Sequence, residues 1–299
     1  MQKNLTSKLP KAPLPVQAPK KQARSTAPVP QVPLKPFLKW PGGKRWLIED
    51  HRDLLPKRIN GRYIEPFLGS GAVFFHLRPR EAILSDINSE LIEAYSAVKR
   101  AHRAIVARLS VHHVQHSIDP ERYYDVRSEI PATANDRAAR MLYLNRTCFN
   151  GIYRVNQKGE FNVPRGSKTK VLMPEDMWPE WSKALRNAQL RNSDFEPIID
   201  TARQGDFLFV DPPYTVHHNM NGFIKYNEVM FSWDDQIRLA KAMDRARKRG
   251  VRILMTNANH ESVRSLYGKG FKQATVSRFS SVSGKSEGRS SFEELVITI

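Results

Sequence analysis

Three short apolar runs in this chain each end in a carboxylate and then in a turn or loop. That recurrence constrains the fold more than any other feature. The runs are RYIE (62–65) before PFLGSG, AILSD (82–86), and DFLFVD (206–211) before PPY. Their length suits buried parallel strands, which read as nearly continuous apolar stretches. Helical patterns alternate with them. One covers 72–77. Another starts after Asn88 as N-cap and puts Leu91, Ile92, Tyr95 and Val98 on one face. A third covers 233–249, with Ser232 as cap and Asp235 three residues on, close to a capping box. Residues 251–257 read as a further strand. Two period-2 runs, 271–278 and 292–299, flank SSVSGKSEGRSS and predict a β-hairpin that closes the sheet. Strand–turn–helix–strand order of this kind predicts a doubly wound α/β fold.

Between 103 and 190 the character changes. The segment is rich in Arg, His and aromatics, reads as mainly helical, and lacks βα alternation, so an inserted subdomain is expected there. Residues 37–102 and 191–299 then make up the α/β domain. Residues 1–36 carry Lys3, Lys8, Lys11, Lys20, Lys21, Arg24 and Lys35 among eight prolines, and the first acid of the chain is Glu49. Proline removes backbone donors and locks φ, so a disordered basic tail is expected.

The formal net charge is +18, and removing the seven tail positives leaves +11. The body is therefore basic in its own right and suited to a polyanion. No apolar run approaches the roughly 20 residues that span a bilayer, so no membrane partner is expected. The single cysteine, Cys148, excludes an internal disulfide and a Cys-based metal cluster. It fits a reducing compartment, and a cytoplasmic location is expected. His217 and His218 are adjacent, point apart, and have no partner at ligand spacing, so no metal is expected.

In EPFLGSG, Gly69 and Gly71 bracket the exit from a strand, where a ligand can approach the backbone closely. Asp86, at the next strand tip, stands where α/β nucleoside sites hold ribose hydroxyls. A dinucleotide fingerprint would need glycine at 74, which is Phe. A nucleoside without a pyrophosphate is the expected ligand.

FLKWPGGK (37–44), EPFLGSG (65–71), SDINSELI (85–92), LNRTCFNGIYRVNQKGEFNVPRG (144–166) and DPPY (211–214) occur in that order. Together they resemble the Dam-type, alpha-group (D12 class) N6-adenine-specific DNA methyltransferases over residues 37–299. The resemblance implies a Rossmann-like, S-adenosylmethionine-dependent methyltransferase sheet with a C-terminal β-hairpin and an inserted, mainly helical target-recognition subdomain at 103–190. It implies methyl transfer from S-adenosylmethionine, without a metal, to the N6 amine of an adenine flipped out of double-stranded DNA. The 6-amino lone pair is delocalised into the ring. Acceptors that hold both amine hydrogens out of the ring plane localise it for attack.

By the same resemblance Asp211 and the Pro212 carbonyl supply those acceptors, Pro213 stiffens the turn, and Tyr214 stacks on the extruded base. Trp40, Lys44, Phe67, Gly69, Ser70, Gly71 and Asp86 form the cofactor pocket, which Asp211 also borders. Lys44 would neutralise the cofactor carboxylate. Lys39, Ile152, Arg154 and Pro164 read bases, with Phe149 and Asn150 at the space left by the flipped base. Arg146 and Arg165, with Lys158, Lys168 and Lys170, would hold phosphates.

Some positions depart from the family pattern: Thr147-Cys148-Phe149 replaces Tyr-Gly-Tyr, and Gly166-Ser167-Lys168 lacks an Arg-Tyr pair. Retention of Lys39, Arg154 and Pro164 implies GATC or a related site. Cys148 lies in Thr-Cys-Phe, which disfavours cytosine carbon-5 chemistry, and Asp211 rather than Ser favours adenine. The loop TVHHNMNGFIKY (215–226) is expected to fold over the extruded base. The chain is expected to act as a monomer in a bacterial or phage-infected cell, with room for a cognate restriction endonuclease. An N6-adenine RNA methyltransferase and a catalytically dead DNA-binding protein are the competing readings. The long DNA-reader-like insert argues against the first, and the intact Asp86 and Asp211 against the second.

Overall fold

In the computed structural model the described residues are 33–156, 158–216, 231–279 and 291–299. The basic tail to residue 32, the expected lid from 217 to 226 with His217 and His218, and most of the hairpin turn lie outside them. The first element is α1 (Arg45–Glu49), followed by β1 (Tyr63–Glu65), α2 (Ala72–Leu77) and β2 (Ala82–Asp86). Next come α3 (Ser89–Ile118), α4 (Arg122–Ser128), α5 (Ala134–Thr147) and α6 (Trp178–Leu185). The α/β pattern resumes with β3 (Ala188–Asn192), α7 (Phe195–Asp200), β4 (Phe207–Val210) and α8 (Trp233–Lys248). β5 (Arg252–Ala258), α9 (Glu261–Leu266), β6 (Lys272–Phe279) and β7 (Ser291–Thr298) complete the chain.

One seven-stranded sheet has the order β3-β2-β1-β4-β5-β7-β6. The β3-β2-β1-β4-β5 pairings are parallel, and β7 runs antiparallel to both β5 and β6. Each central strand buries both faces by its period of two. Tyr63, Phe207, Phe209 and Leu254 point into one core with α2, α3, α5 and α6. Ile64, Leu208, Val210, Ile253 and Met255 point into the other, with α7 and α8. The expected mixed α/β architecture is present, and its Asn88 cap and Ser232–Asp235 capping box form as the sequence predicts.

Four elements were not anticipated: β3 and the short helices α1, α7 and α9. β3 has the sequence AQLRN, mostly exposed, and its alternation is confined to Ala188 and Leu190, too few apolar positions to announce a strand. It exists because the edge of β2 needs a partner, through the register Ala82↔Ala188 to Asp86↔Asn192. It straddles position 190, where the helical segment was expected to end. α7 is only six residues long, too short for a period to be read. α3 runs past position 103, the expected start of the insert, but its backbone leaves helical geometry at Ala101 (φ −141°, ψ 34°).

Candidate active site

The strand order reverses between β1 and β4, and in open α/β sheets ligands bind outside the carboxyl ends of strands at that reversal. Glu65 ends β1, Asp86 ends β2 and Asp211 follows β4, so the three terminal carboxylates of the sequence meet at one sheet edge. Burial pushes the Glu65 carboxyl well above the ordinary range, against the hydrogen bond that Tyr63 Oη donates to it at 2.8 Å. Burial also raises Asp86, although backbone N–H groups oppose it. Asp86 Oδ2 accepts from Gly69 N at 3.0 Å and Oδ1 from Asn88 N at 3.0 Å. The carboxylate thereby ties the glycine turn to the start of α3.

Gly69 (φ 47°) and Gly71 (φ 62°) occupy the left-handed region. A Cβ on Gly69 would lie 2.8 Å from Trp40 Cδ1, so the indole rests directly on the turn. Trp40 also stacks on Tyr153, with ring centroids 4.9 Å apart. Ser70 is buried in the same turn. Phe67 stacks on Phe195 at 5.4 Å and meets Phe231 edge-on at 5.6 Å.

At the tip of β4, Asp211 Oδ1 lies 2.8 Å from Lys44 Nζ and accepts from Thr256 Oγ1 at 2.8 Å. Both contacts fall on one oxygen; among the described residues none falls on Oδ2. Desolvation raises the Asp211 carboxyl, and Lys44 and Thr256 work against it. Lys44 is only 4% exposed. It donates to Gly42 O at 2.7 Å and lies 3.9 Å from Glu294 Oε2 and 5.0 Å from the Tyr214 ring centre. Tyr214 Oη donates to Glu294 Oε2 at 2.6 Å, and burial lifts the phenol well above its usual value. Lys44 thus sits inside the Asp-Pro-Pro-Tyr cluster rather than at the surface. Pro212 and Pro213 continue the chain from Asp211 between these contacts.

The segment after α5 holds the candidate DNA-reading residues. Asn145 acts as a strand partner for Lys39: its Oδ1 accepts from Lys39 N at 2.9 Å and its Nδ2 donates to Lys39 O at 2.8 Å. Phe149 is 52% exposed and Ile152 37%. Asn150 is exposed in a left-handed conformation (φ 56°). Phe149 N donates to Pro164 O at 2.9 Å, closing the loop that carries Arg154, whose Nε donates to Asn162 Oδ1 at 2.8 Å. Arg165 pairs with Glu121 at 2.9 Å. Lys39, Phe149, Asn150, Arg165 and Lys168 line a cleft of about 210 Å³. The neighbouring Lys168 and burial bring Lys39 down to about 8, as two ammonium groups without an acid in the cleft must do.

Arg146 requires a correction. It is 6% exposed, and its guanidinium is bidentate to Asp176 at 2.7 and 2.9 Å. It also donates to Val171 O at 2.7 Å and Phe37 O at 3.1 Å. A guanidinium consumed inside the protein cannot grip a phosphate, so Arg146 is a structural tie.

Sequence reasoning missed Glu65, Asn145, Thr256 and Glu294. A signal existed for Glu294, an acid directly before the apolar run Leu295-Val296-Ile297 of the last strand. None existed for Thr256, an ordinary strand residue until Asp211 is placed beside it. Among the described residues no group of three or more His, Cys, Asp or Glu could hold a metal ion. No helix there is long and apolar enough to cross a membrane.

A family model described as "D12 class N6 adenine-specific DNA methyltransferase" matches residues 40–282. The type II methyltransferase M1.LlaDCHI of Lactococcus lactis subsp. cremoris is 34% identical over 277 residues, covering 90% of this chain and 96% of its own. The type II methyltransferase M.MjaIII of Methanocaldococcus jannaschii is 35% identical over 285 residues, covering 88% and 99%. The DNA adenine methylase of Escherichia coli K12 is 32% identical over 262 residues, covering 87% and 93%. Alignment of this extent, over a sheet that gathers Asp86, the glycine turn and Asp-Pro-Pro-Tyr at one edge, places the chain in the D12 class of N6-adenine-specific DNA methyltransferases.

Proposed function

We propose that this enzyme moves a methyl group from S-adenosylmethionine to the N6 amine of an adenine flipped out of duplex DNA, within GATC or a related site. The observation that carries the reading is the arrangement at Asp211. Oδ1 is committed to Lys44 and Thr256, while Oδ2 remains as an acceptor at the strand tip. One amine hydrogen goes to Oδ2 and the other to the Pro212 carbonyl, which localises the nitrogen lone pair. Tyr214 offers its ring face to the base while its hydroxyl is held by Glu294.

The residues around the glycine turn fit S-adenosylmethionine. Asp86 lies where ribose hydroxyls can donate. Ile87, 68% exposed just beyond it, offers an apolar face to a base. When bound, S-adenosylmethionine supplies a methyl group on a sulfonium, ready for direct displacement. The protein's part is alignment, a contribution that grows with rigidity. In this reading Trp40, Phe67, Gly69, Ser70 and Gly71 wall the pocket, and Lys44 acts through Asp211. Gly69→Ala puts a Cβ onto Trp40 in a left-handed conformation that costs about 1–3 kcal/mol. A cofactor affinity lower by about tenfold or more, measured by calorimetry, is expected.

Target recognition is assigned to 103–190 with Lys39, and catalysis to 37–102 and 191–299. Arg154 has its Nε tied to Asn162, which leaves the terminal nitrogens to face a guanine edge. Arg154→Ala should relax discrimination at one base position by about 10- to 100-fold, the worth of a bidentate contact. Methylated-site sequencing of mixed-sequence DNA reads this directly. Phe149, Asn150, Ile152 and Pro164 present the exposed loop surface beside the cleft, and Arg165 reaches phosphate by exchanging Glu121. The chain works as a monomer in the cytoplasm of its cell, alone or beside a cognate endonuclease.

The test is incubation with labelled S-adenosylmethionine and duplex DNA or RNA of mixed sequence, followed by mapping of the labelled base. Label on adenine N6 in duplex DNA is expected. Label confined to RNA, or none despite tight DNA binding, would overturn the reading.

A further inference from the structure

β7 is the one strand that runs against its neighbours β5 and β6. Its start therefore lies at the sheet edge where parallel strands end. Glu294 pairs in register with Ala258, the last residue of β5, and so arrives beside Asp211. It is 3% exposed, and its position lies beyond residues 40–282, the span of the family match. A carboxylate in so dry a place destabilises the strand unless its oxygens are engaged. Here Oε2 accepts from Tyr214 Oη at 2.6 Å and lies 3.9 Å from Lys44 Nζ.

We propose that Glu294 is a positioning residue for methyl transfer: it fixes the Tyr214 ring on which the adenine rests, and it shares Lys44 with Asp211. The proposal rests on the reading of Asp-Pro-Pro-Tyr as the adenine pocket. Its first consequence is geometric. A hydroxyl anchored to a charged acceptor stops the ring from swinging away from the base, which preserves alignment. Its second is electrostatic. Lys44 lies between the two carboxylates, 2.8 Å from Asp211 and 3.9 Å from Glu294, so the charge of Glu294 is felt at Asp211. As the methyl carbon leaves sulfur for the amine nitrogen, positive charge passes to that nitrogen, and an ionised Asp211 beside it stabilises that state.

The groups that interact with Asp211 include Lys44 from the turn before α1, Tyr63 and Glu65 from β1, Tyr214 three residues on, Thr256 from β5 and Glu294 from β7. Among them Glu294 pushes the Asp211 carboxyl upward, and Lys44 and Thr256 pull it down.

Three variants of the full chain test this on duplex DNA. Glu294→Leu should lower kcat by about 10- to 100-fold, the worth of a hydrogen bond to a charged group. Its calorimetric affinity for S-adenosylmethionine should stay within about threefold of wild type, since uniform binding is untouched. Tyr214→Phe removes the same bond from the other side. The Glu294→Leu/Tyr214→Phe double variant should be no slower than the slower single, because partners in one contact are not additive. Glu294→Gln keeps an acceptor for Tyr214 and removes the charge. Its acid limb of kcat against pH should move to lower pH, which a merely structural glutamate would not produce.

A Glu294→Leu kcat within about twofold of wild type, or single losses that multiply in the double variant, would overturn the proposal. If Glu294→Leu does not fold, Glu294→Gln decides alone, and an unmoved acid limb overturns it. Transfer that survives Asp211→Ala would instead remove the underlying reading of the pocket.

Discussion

Asp211→Ala is expected to lower methyl transfer by at least about 10²-fold, the usual loss when one preorganised partner of the reacting group is removed. The amine then has only the Pro212 carbonyl as acceptor, and its lone pair stays in the ring. Cofactor affinity should change little, because Asp86 and the glycine turn do not depend on Asp211. The same substitution strips Lys44 of its 2.8 Å partner, leaving Gly42 O and the more distant Glu294. Breaking a buried pair of this kind costs about 3 kcal/mol of stability. Asp211→Asn is the companion variant, since it keeps the shape and fails only in charge and acceptor pattern. Labelled-methyl transfer, calorimetric cofactor titration and a thermal melt separate these effects. Substantial transfer in Asp211→Ala would take Asp211 out of the chemistry.

The pH dependence follows from the same burial. Desolvation raises the folded-state pKa of Asp211, and the carboxylate must be ionised to accept the amine hydrogen. Activity is therefore lost as pH falls through that raised value, above the ordinary Asp position near about 4. The stability sign is the opposite: a raised carboxylate destabilises the fold once pH exceeds the unfolded value.

Arg146→Ala carries the second large effect, and it falls on stability. The side chain makes two bonds to Asp176 and one each to Val171 O and Phe37 O, all away from water. Its removal strands a buried carboxylate and two carbonyls, at a cost of about 3–5 kcal/mol. For a chain of this size the melting temperature should fall by roughly 10 °C. DNA affinity and its salt dependence, measured well below the transition, should match wild type. A melting temperature within a few degrees of wild type, with a salt slope reduced by about one, would restore Arg146 as a phosphate contact.

These two residues mark what sequence alone determines. Asp211 follows an apolar run and precedes two prolines, so its role at a strand tip is a matter of local chemistry and is legible in four letters. The α/β alternation, the Asn88 and Ser232 caps and the glycine turn are legible for the same reason: each depends on neighbours within a few residues. β3 was not legible, because its five residues offer only two apolar positions and pair only where β2 offers an edge. Arg146 reads as one more cation in a basic stretch, and only its partner Asp176, thirty residues on, decides that it is buried. Lys44 is expected from the sequence at the cofactor carboxylate, and only the fold brings it to Asp211.

Glu294 shows where that division comes from. Its sequence position declares an acid at the head of an apolar run. Nothing local says that β7 enters the sheet backwards between β5 and β6. That insertion carries its first residues to the edge where the other strands end. Sequence determined the strand tips and their chemistry, because those are properties of short stretches. Tertiary structure decided which charges meet there, because ion pairs in a dry site are set by strand order and burial across the chain.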